Sequence, residues 1–217
     1  MLSLQAQTID WVKSIGGNAD EGYGPMKPDA SGNMYLCGQF NGTVDFDPGP
    51  GVSNLTSNGD LDCYVVKYDS IGNFIWAVGW GGTGNDYSSD IELDDSGNVY
   101  VVGIFWDTVD FDPGPAIFTL SSAGLREIFI SKFNENGNFI WAKRIGGASN
   151  DWLVYMELDD AANICLTGAF QGTSDFDPGL GTATLSSQFF SKDIFIAKYD
   201  RQSKYLWAHV RRQLKEE

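Results

Sequence analysis

Paired carboxylates recur in the motif Asp-Phe-Asp-Pro-Gly, which occupies residues 45–49, 110–114 and 175–179. In extended backbone, alternate side chains point to opposite sides, so the two Asp side chains of each motif project together and the Phe projects away from them. Two convergent carboxylates with nearby backbone carbonyls form the kind of oxygen site that Ca²⁺ prefers. The candidate calcium ligands are therefore Asp45, Asp47, Asp110, Asp112, Asp175 and Asp177.

A second set of polar residues precedes the first strand of two repeats and would complete such a site. These residues are Asn85, Asp86, Asn150 and Asp151. The simpler alternative is that the Asp side chains cap the N–H groups of their own turns, as Asp does in many tight turns. The spacing does not match an EF-hand loop, so calcium and plain capping both remain open.

Catalysis is not expected from the residues present. His209 is the one histidine of the chain, and no Gly-x-Ser-x-Gly elbow, zinc-ligand spacing or phosphate-binding loop occurs. The carboxylate pairs repeat along the chain, whereas catalytic groups are usually unique within a fold. We predict a protein that is not an enzyme.

Three tryptophans depart from the repeat and are candidates for stacking on a sugar ring. Trp106 interrupts the segment before the second Asp-Phe-Asp motif, and Trp80 and Trp152 are likewise unmatched in the other repeats. A carbohydrate-binding protein would expose such rings beside Asn or Asp side chains. Carbohydrate binding is therefore the alternative function that we carry forward.

The repeat itself is read from invariant spacings. Trp11, Trp76, Trp141 and Trp207 follow one another at intervals of 65, 65 and 66 residues, and a Gly-Gly pair lies at residues 16–17, 81–82 and 146–147. A fixed period of this length is typical of solenoids and propellers.

Each repeat divides into two hairpins. In the middle one we expect strands at 86–93, 99–105, 127–133 and 138–145, with a long connection over residues 106–126. The apolar runs Val-Tyr-Val-Val and Ile-Phe-Ile are continuous, which is typical of strands that are covered on both faces. Four-stranded sheets of this kind, repeated without helices, predict an all-β protein with the architecture of a β-propeller.

The motifs Phe-Ile-Trp-Ala, Gly-Gly, Asp-x-x-Gly-Asn-x-Tyr and Phe-x-Gly-Thr-x-Asp-Phe-Asp-Pro-Gly together resemble the bacterial β-propeller repeat that was first named for seven-bladed propellers. That repeat is common in secreted multidomain proteins of the Bacteroidetes type. The resemblance implies a propeller in an extracellular or cell-surface setting. It implies no defined activity, because a fold is not a function.

The predicted organisation is one region with three blades of four strands. An orphan outer strand covers residues 8–17, blade 1 residues 18–82, blade 2 residues 83–147, blade 3 residues 148–210 and a charged tail residues 211–217. Three blades are too few to close a ring comfortably. The chain is therefore expected to be a fragment of a longer propeller or to share a ring with other copies through its open blade faces.

Charge and composition limit the classes of partner that the protein is expected to bind. The net charge of −15 argues against nucleic acid and anionic membrane surfaces, and no apolar run reaches the length of a membrane span. The first seven residues look like the end of a signal peptide, which favours an extracellular location. We expect a scaffold that binds a protein or a glycan through the face carrying its long loops, where rigid scaffolds usually place function.

Overall fold

The computed structural model describes residues 11–188 and 191–210, apart from the side chains of residues 153 and 154. The described chain is all-β, as predicted. Within it, no helix is long and apolar enough to cross a membrane. The first part of the predicted orphan strand (residues 8–10) and the predicted tail (211–217) lie outside the described residues.

The described residues form seventeen strands. They are β1 (Gly16–Gly17), β2 (Glu21–Pro28), β3 (Met34–Phe40), β4 (Thr43–Asp45), β5 (Asn54–Thr56), β6 (Asp62–Tyr68), β7 (Phe74–Trp80), β8 (Tyr87–Leu93), β9 (Val99–Asp110), β10 (Thr119–Phe133), β11 (Phe139–Gly147), β12 (Asp151–Leu158), β13 (Ile164–Gln171), β14 (Thr173–Asp175), β15 (Thr184–Ser186), β16 (Lys192–Tyr199) and β17 (Tyr205–Val210).

Each repeat contributes four antiparallel strands that pair in chain order. Unit 1 (residues 18–82) supplies β2-β3-β6-β7, unit 2 (83–147) supplies β8-β9-β10-β11, and unit 3 (148–210) supplies β12-β13-β16-β17. The tight turns are closed by Asp side chains: Asp94 Oδ1, for example, accepts hydrogen bonds from the N–H groups of Ser96 and Asn98. Gly97 takes the left-handed φ of +75° that this turn requires.

The long connection between the second and third strands is itself a hairpin, which the sequence did not predict. In unit 2, β9 runs on to Asp110 and β10 already begins at Thr119, so residues 106–110 and 119–126 belong to strands. In units 1 and 3 the same segments form the short pairs β4–β5 and β14–β15. The predicted orphan strand is also shorter than expected, because residues 11–15 are not in a strand and only Gly16–Gly17 pairs, as β1.

The three sheets stack face to face. We call the side that packs on the preceding unit the front face and the side that packs on the following unit the back face. Strand β8, the first of unit 2, contacts β2 and β3 of unit 1 and β12 of unit 3. Two apolar clusters fill the junctions: the back-face residues Cys63 and Val65 pack in the cluster between units 1 and 2, and Ile128 and Ile130 in the cluster between units 2 and 3.

The back face of unit 3 is open, and the front face of unit 1 is open at its first strand. On the back face of unit 3, Ile194 is 61% and Ile196 is 53% exposed, whereas the equivalent Ile128 and Ile130 of unit 2 are 1% and 0% exposed. On the front face of unit 1, Met26 is exposed where units 2 and 3 bury their equivalent residues. Each unit therefore has an apolar face that only a neighbouring unit covers.

Candidate functional site

The Gly-Gly loops and the Asp-Phe-Asp segments lie side by side, because in a four-stranded antiparallel sheet the second-to-third and fourth-to-first connections emerge at the same edge. Gly16 pairs with Asp45 in antiparallel register, Gly146 pairs with Asp175, and an isolated bridge joins Gly81 to Asp110. A Cβ on Gly82 or Gly147 would lie within 2.6 Å of a backbone oxygen of the adjoining strand. The glycine pair is thus needed because two backbones approach closely there, and it links each unit to the next.

The three Asp-Phe-Asp turns share one hydrogen-bond pattern. In unit 1, Asp45 Oδ1 accepts from the N–H groups of Asp47 (3.0 Å) and Ser53 (2.8 Å), and Asp47 Oδ1 accepts from Gly49 N–H (2.7 Å). The turns of Asp110 with Asp112 and of Asp175 with Asp177 repeat this pattern. One oxygen of each carboxylate therefore caps backbone N–H groups of its own turn, as in the capping alternative.

The aromatic residue of each motif anchors its turn in the core. Phe46, Phe111 and Phe176 are 1%, 0% and 1% exposed. Phe46 packs against Phe40 and Tyr64, with ring centroids 5.6 Å and 4.8 Å apart. The expectation that the Phe points away from the carboxylates and into apolar surface is confirmed.

Asp86 and Asp151 brace the Gly-Gly loops from buried positions, each 1% exposed. Asp86 accepts hydrogen bonds from Gly82 N–H (2.7 Å) and Trp106 N–H (3.1 Å), and Asp151 Oδ1 accepts from Ser174 Oγ (3.0 Å). Removal from water disfavours the charged form, so burial raises the pKa of Asp86 to about 6 and that of Asp151 to about 7.

The other two residues of that set lie at the end of the same loops. Asn85 forms an isolated parallel bridge with Leu61, and the carbonyl of Asn150 accepts a hydrogen bond from Gln171 N–H. Across the part of the chain that the structure describes, no group of three or more His, Cys, Asp or Glu side chains is placed to hold a metal ion. Calcium binding by the Asp and Asn candidates stays a prediction.

The three candidate tryptophans have different surroundings. Trp80 lies in the core between units 1 and 2, where it is 2% exposed and packs on Phe129 and Phe133 with centroid distances of 6.1 Å and 5.0 Å. Its indole is therefore covered by protein. Trp106 and Trp152 are half-buried and meet at the junction of units 2 and 3.

Arg126 joins these two tryptophans. Its guanidinium carbon lies 4.8 Å from the ring centroid of Trp152 and 5.7 Å from that of Trp106, both within the range of cation–π attraction. Lys192 Nζ lies 3.8 Å from the ring of Trp152, and the ring of Tyr87 lies 5.9 Å from that of Trp106. Removal of the guanidinium from water lowers the pKa of Arg126.

A cleft of 760 Å³ opens beside this cluster. Trp106, Arg126 and Asn85 line it from unit 2, together with Tyr23 of unit 1 and Tyr155 of unit 3. Tyr23 is 95% exposed and Tyr155 is 58% exposed. The structure thus brings Trp106 and Asn85 together with aromatic and cationic side chains, in a cleft that all three units help to form.

Sequence reasoning found Trp106 and Trp152 but missed Arg126, Tyr23 and Tyr155. The signal that could have found them was the same departure from the repeat. Arg126 stands where unit 1 has Leu61, and Tyr155 stands where unit 2 has Asp90. That these departures converge in space could be seen only once the units were stacked.

Comparison with known proteins gives distant relatives. No family model matches the chain. It is 27% identical over 227 residues to an uncharacterized WD repeat-containing protein of Acanthamoeba polyphaga mimivirus, an alignment that covers 92% of this chain and 16% of that protein. It is 24% identical over 153 residues to the regulatory protein FlaEY of Caulobacter vibrioides, covering 70% of this chain and 16% of that protein. The chain therefore spans about 16% of the length of these curated relatives.

Proposed function

We propose that the three units are blades of a β-propeller, and that the protein acts as a non-enzymatic scaffold for protein interaction. Three features support this proposal: equivalent four-stranded sheets packed face to face, contact between the first strands of successive units, and similarity to a WD repeat-containing protein. A bacterial propeller repeat of the Bacteroidetes type agrees with the sequence motifs and stays a prediction.

The open back face of unit 3 is the observation that carries the scaffold proposal. It presents Ile194, Ile196 and Trp207, while the equivalent face of unit 2 is covered by unit 3. The back-face isoleucines are therefore covered by protein in unit 2 and exposed to solvent in unit 3. Apolar surface of this kind is typical of interaction sites. Its occupant is a further unit of the same repeat, supplied either by the rest of a longer propeller or by another copy that shares the ring.

Sedimentation velocity over a hundredfold range of concentration tests this proposal. We expect concentration-dependent association of the chain, abolished by the pair Ile194→Asp with Ile196→Asp. Exposed Val52 and Ile117, which lie in the turns after the Asp-Phe-Asp motifs, provide matched Asp substitutions outside the open face. A chain that stays monomeric throughout, or one whose association responds equally to all four substitutions, would contradict the role of the back face.

Carbohydrate binding is the second candidate, and the cleft at the junction of the units favours it. Exposed Tyr23 and Tyr155 lie with Asn85 and Trp106 around one opening, which is the combination of aromatic and amide side chains that a saccharide site needs. A glycan array probed with labelled protein tests this candidate. Absence of binding to every glycan would exclude it.

Calcium stabilisation and an extracellular or cell-surface location are further proposals that originate in the sequence. Each Asp-Phe-Asp turn still presents two carboxylates to one side of its loop, with one oxygen of each used for capping. Thermal unfolding is measured with about 2 mM calcium, which is roughly the range of extracellular calcium sites, and with excess EDTA. The comparison separates calcium binding from plain capping. A higher melting temperature in calcium supports binding, and identical melting curves would reject it.

A further inference from the structure

Three side chains that break the repeat lie close together. Trp106 replaces Asn41 of unit 1, Arg126 replaces Leu61, and Trp152 replaces Tyr87 of unit 2. All three belong to the cluster beside the cleft at the junction of units 2 and 3. Trp80 shows that a residue without a counterpart in the other units can serve the stacking, but it is buried in the core. Non-repeating residues that gather at an open cleft are instead candidates for a specific contact.

Arg126 is the one cationic side chain among the described residues that line the cleft. The protein carries 29 acidic and 14 basic side chains, yet none of the described residues that line the cleft is Asp or Glu. Among the described residues, no carboxylate lies within ion-pair distance of Arg126. Its Nε is buried without a hydrogen-bond partner. The guanidinium remains charged at neutral pH and lies against two indole rings. The buried carboxylate of Asp151 attracts it from beyond ion-pair distance and opposes the lowering of the Arg126 pKa by burial.

The remaining lining groups are neutral hydrogen-bonding or aromatic side chains. Gln39 and Asn85 supply amides, Ser89 supplies a hydroxyl, and Tyr155 supplies an exposed aromatic ring. The Ser88 hydroxyl is buried in the protein, so Gln39, Asn85 and Ser89 are the polar groups that face the cleft. Amides and hydroxyls recognise sugar hydroxyl groups, and aromatic rings cover the apolar face of a pyranose. A guanidinium in the same cleft adds a planar fork that matches a carboxylate.

We propose that this cleft binds an acidic saccharide, with Arg126 paired to the carboxylate of a uronic or sialic acid and Trp106 against the sugar. The inference rests on the carbohydrate-binding candidate and gives it a chemical class. It is independent of whether the chain associates through the back face of unit 3. A bound carboxylate would supply the ion-pair partner that Arg126 lacks among the described residues.

Isothermal titration calorimetry with defined saccharides tests the proposal. The probes are trigalacturonic acid, a hyaluronan tetrasaccharide and sialyllactose, and the neutral comparator is the methyl ester of trigalacturonic acid. We expect at least one acid to bind and its affinity to fall at least about tenfold on esterification, because a charge-assisted bidentate contact is lost. Arg126→Gln is expected to cause a loss of the same order, and Arg126→Lys a smaller one.

Arg201→Gln is the matched control, since Arg201 lines a different depression formed by the tight turns around Asp94 and Asp159. This variant removes one positive charge and is expected to leave saccharide affinity unchanged. Circular dichroism melting of each variant verifies that it is folded, and the ester comparison needs no variant at all.

Several results would overturn the inference. These are the absence of binding by all three acids, equal affinity for acid and ester, or unchanged affinity in folded Arg126→Gln. Equal affinity for acid and ester would support carbohydrate binding in general but reject a preference for acidic saccharides. Binding of a capped tri-aspartate peptide without binding of the saccharides would reassign the cleft to an acidic peptide.

Discussion

Strands β10 and β16 have almost the same sequence at their ends, Ile-Phe-Ile-Ser-Lys-Phe in unit 2 and Ile-Phe-Ile-Ala-Lys-Tyr in unit 3, yet they differ in burial. Phe129 and Phe195 on the front faces are both fully buried. On the back faces Ile130 is buried and Ile196 is 53% exposed. The local sequence specifies a strand that is apolar on both sides, but the neighbouring unit determines whether the second side is protected from water.

The front-face phenylalanines should give the largest effect and the same effect in both units. We expect Phe129→Ala and Phe195→Ala each to lower the free energy of unfolding by about 3–5 kcal/mol, because each removes a buried ring and leaves a cavity. Urea unfolding monitored by tryptophan fluorescence measures the change. A much smaller loss for Phe195→Ala would show that the front face of unit 3 is less well packed than its burial indicates.

The back-face isoleucines should separate the two units. Ile130→Ala is expected to cost about 2–5 kcal/mol, while Ile196→Ala should change stability by less than about 0.5 kcal/mol when the chain is monomeric. The same urea titration at low protein concentration makes the comparison. If Ile196→Ala were as destabilising as Ile130→Ala, something would cover the back face of unit 3 in solution.

The buried carboxylates at the junctions between units should make the stability of the protein depend on pH. Burial raises the pKa of Asp151 to about 7 from an ordinary value of 3.8, so the folded protein holds this proton more tightly than the unfolded chain does. Ionisation of Asp151 therefore lowers the free energy of unfolding. This loss grows as pH rises from about 4 to about 7 and is complete above about pH 7.

The stability of Asp151→Asn relative to wild type should accordingly increase from pH 4 to pH 8, by an amount of order 1–4 kcal/mol at 1.36 kcal/mol per pKa unit. Unfolding titrations at each pH measure the difference. Asp86→Asn, at the junction of units 1 and 2, should show a smaller change that is complete near pH 6, because the pKa of Asp86 is raised to about 6. If the stability difference from wild type did not change with pH in either variant, the ionised carboxylates would not destabilise the junctions.

The last turns of units 2 and 3 should give the smallest difference. Gly137 and Ser203 occupy equivalent turn positions, with φ of +78° and +65°. A left-handed serine is strained, so Ser203→Gly should gain about 0.5 kcal/mol after the extra freedom of glycine in the unfolded chain is subtracted. Gly137→Ser should lose about 1 kcal/mol or more, since a Cβ there would meet Trp76 at 3.0 Å. Thermal unfolding of both variants tests the sign, and a gain for Gly137→Ser would refute this account.

Part of the site was predictable because its signals are local. The triplet Asp45-Phe46-Asp47 alternates, so the burial of Phe46 and the common side of the two carboxylates follow from strand geometry. The placement of the Gly-Gly loops beside these segments followed from strand direction alone. The hairpin that extends through residues 106–126 was missed, because its short polar strands are specified by pairing with each other and with the preceding unit.

The cleft could not be predicted because its members are far apart in the chain. Tyr23, Arg126 and Tyr155 belong to three different units and carry no shared motif. Trp80 and Trp106 both looked like unmatched aromatics, yet one is in the core and the other lines the cleft. Their difference depends on which side of each sheet meets a neighbour.

The repeat, the four strands of each unit and the apolar character of both sheet faces can be read from the sequence alone, because each of them depends on residues that are close along the chain. Tertiary structure alone decided which faces are covered, where Asp86 and Asp151 lose contact with water, and which non-repeating side chains gather around Arg126. Burial and electrostatic environment are properties of neighbours in space, and these neighbours come from other units of the stack.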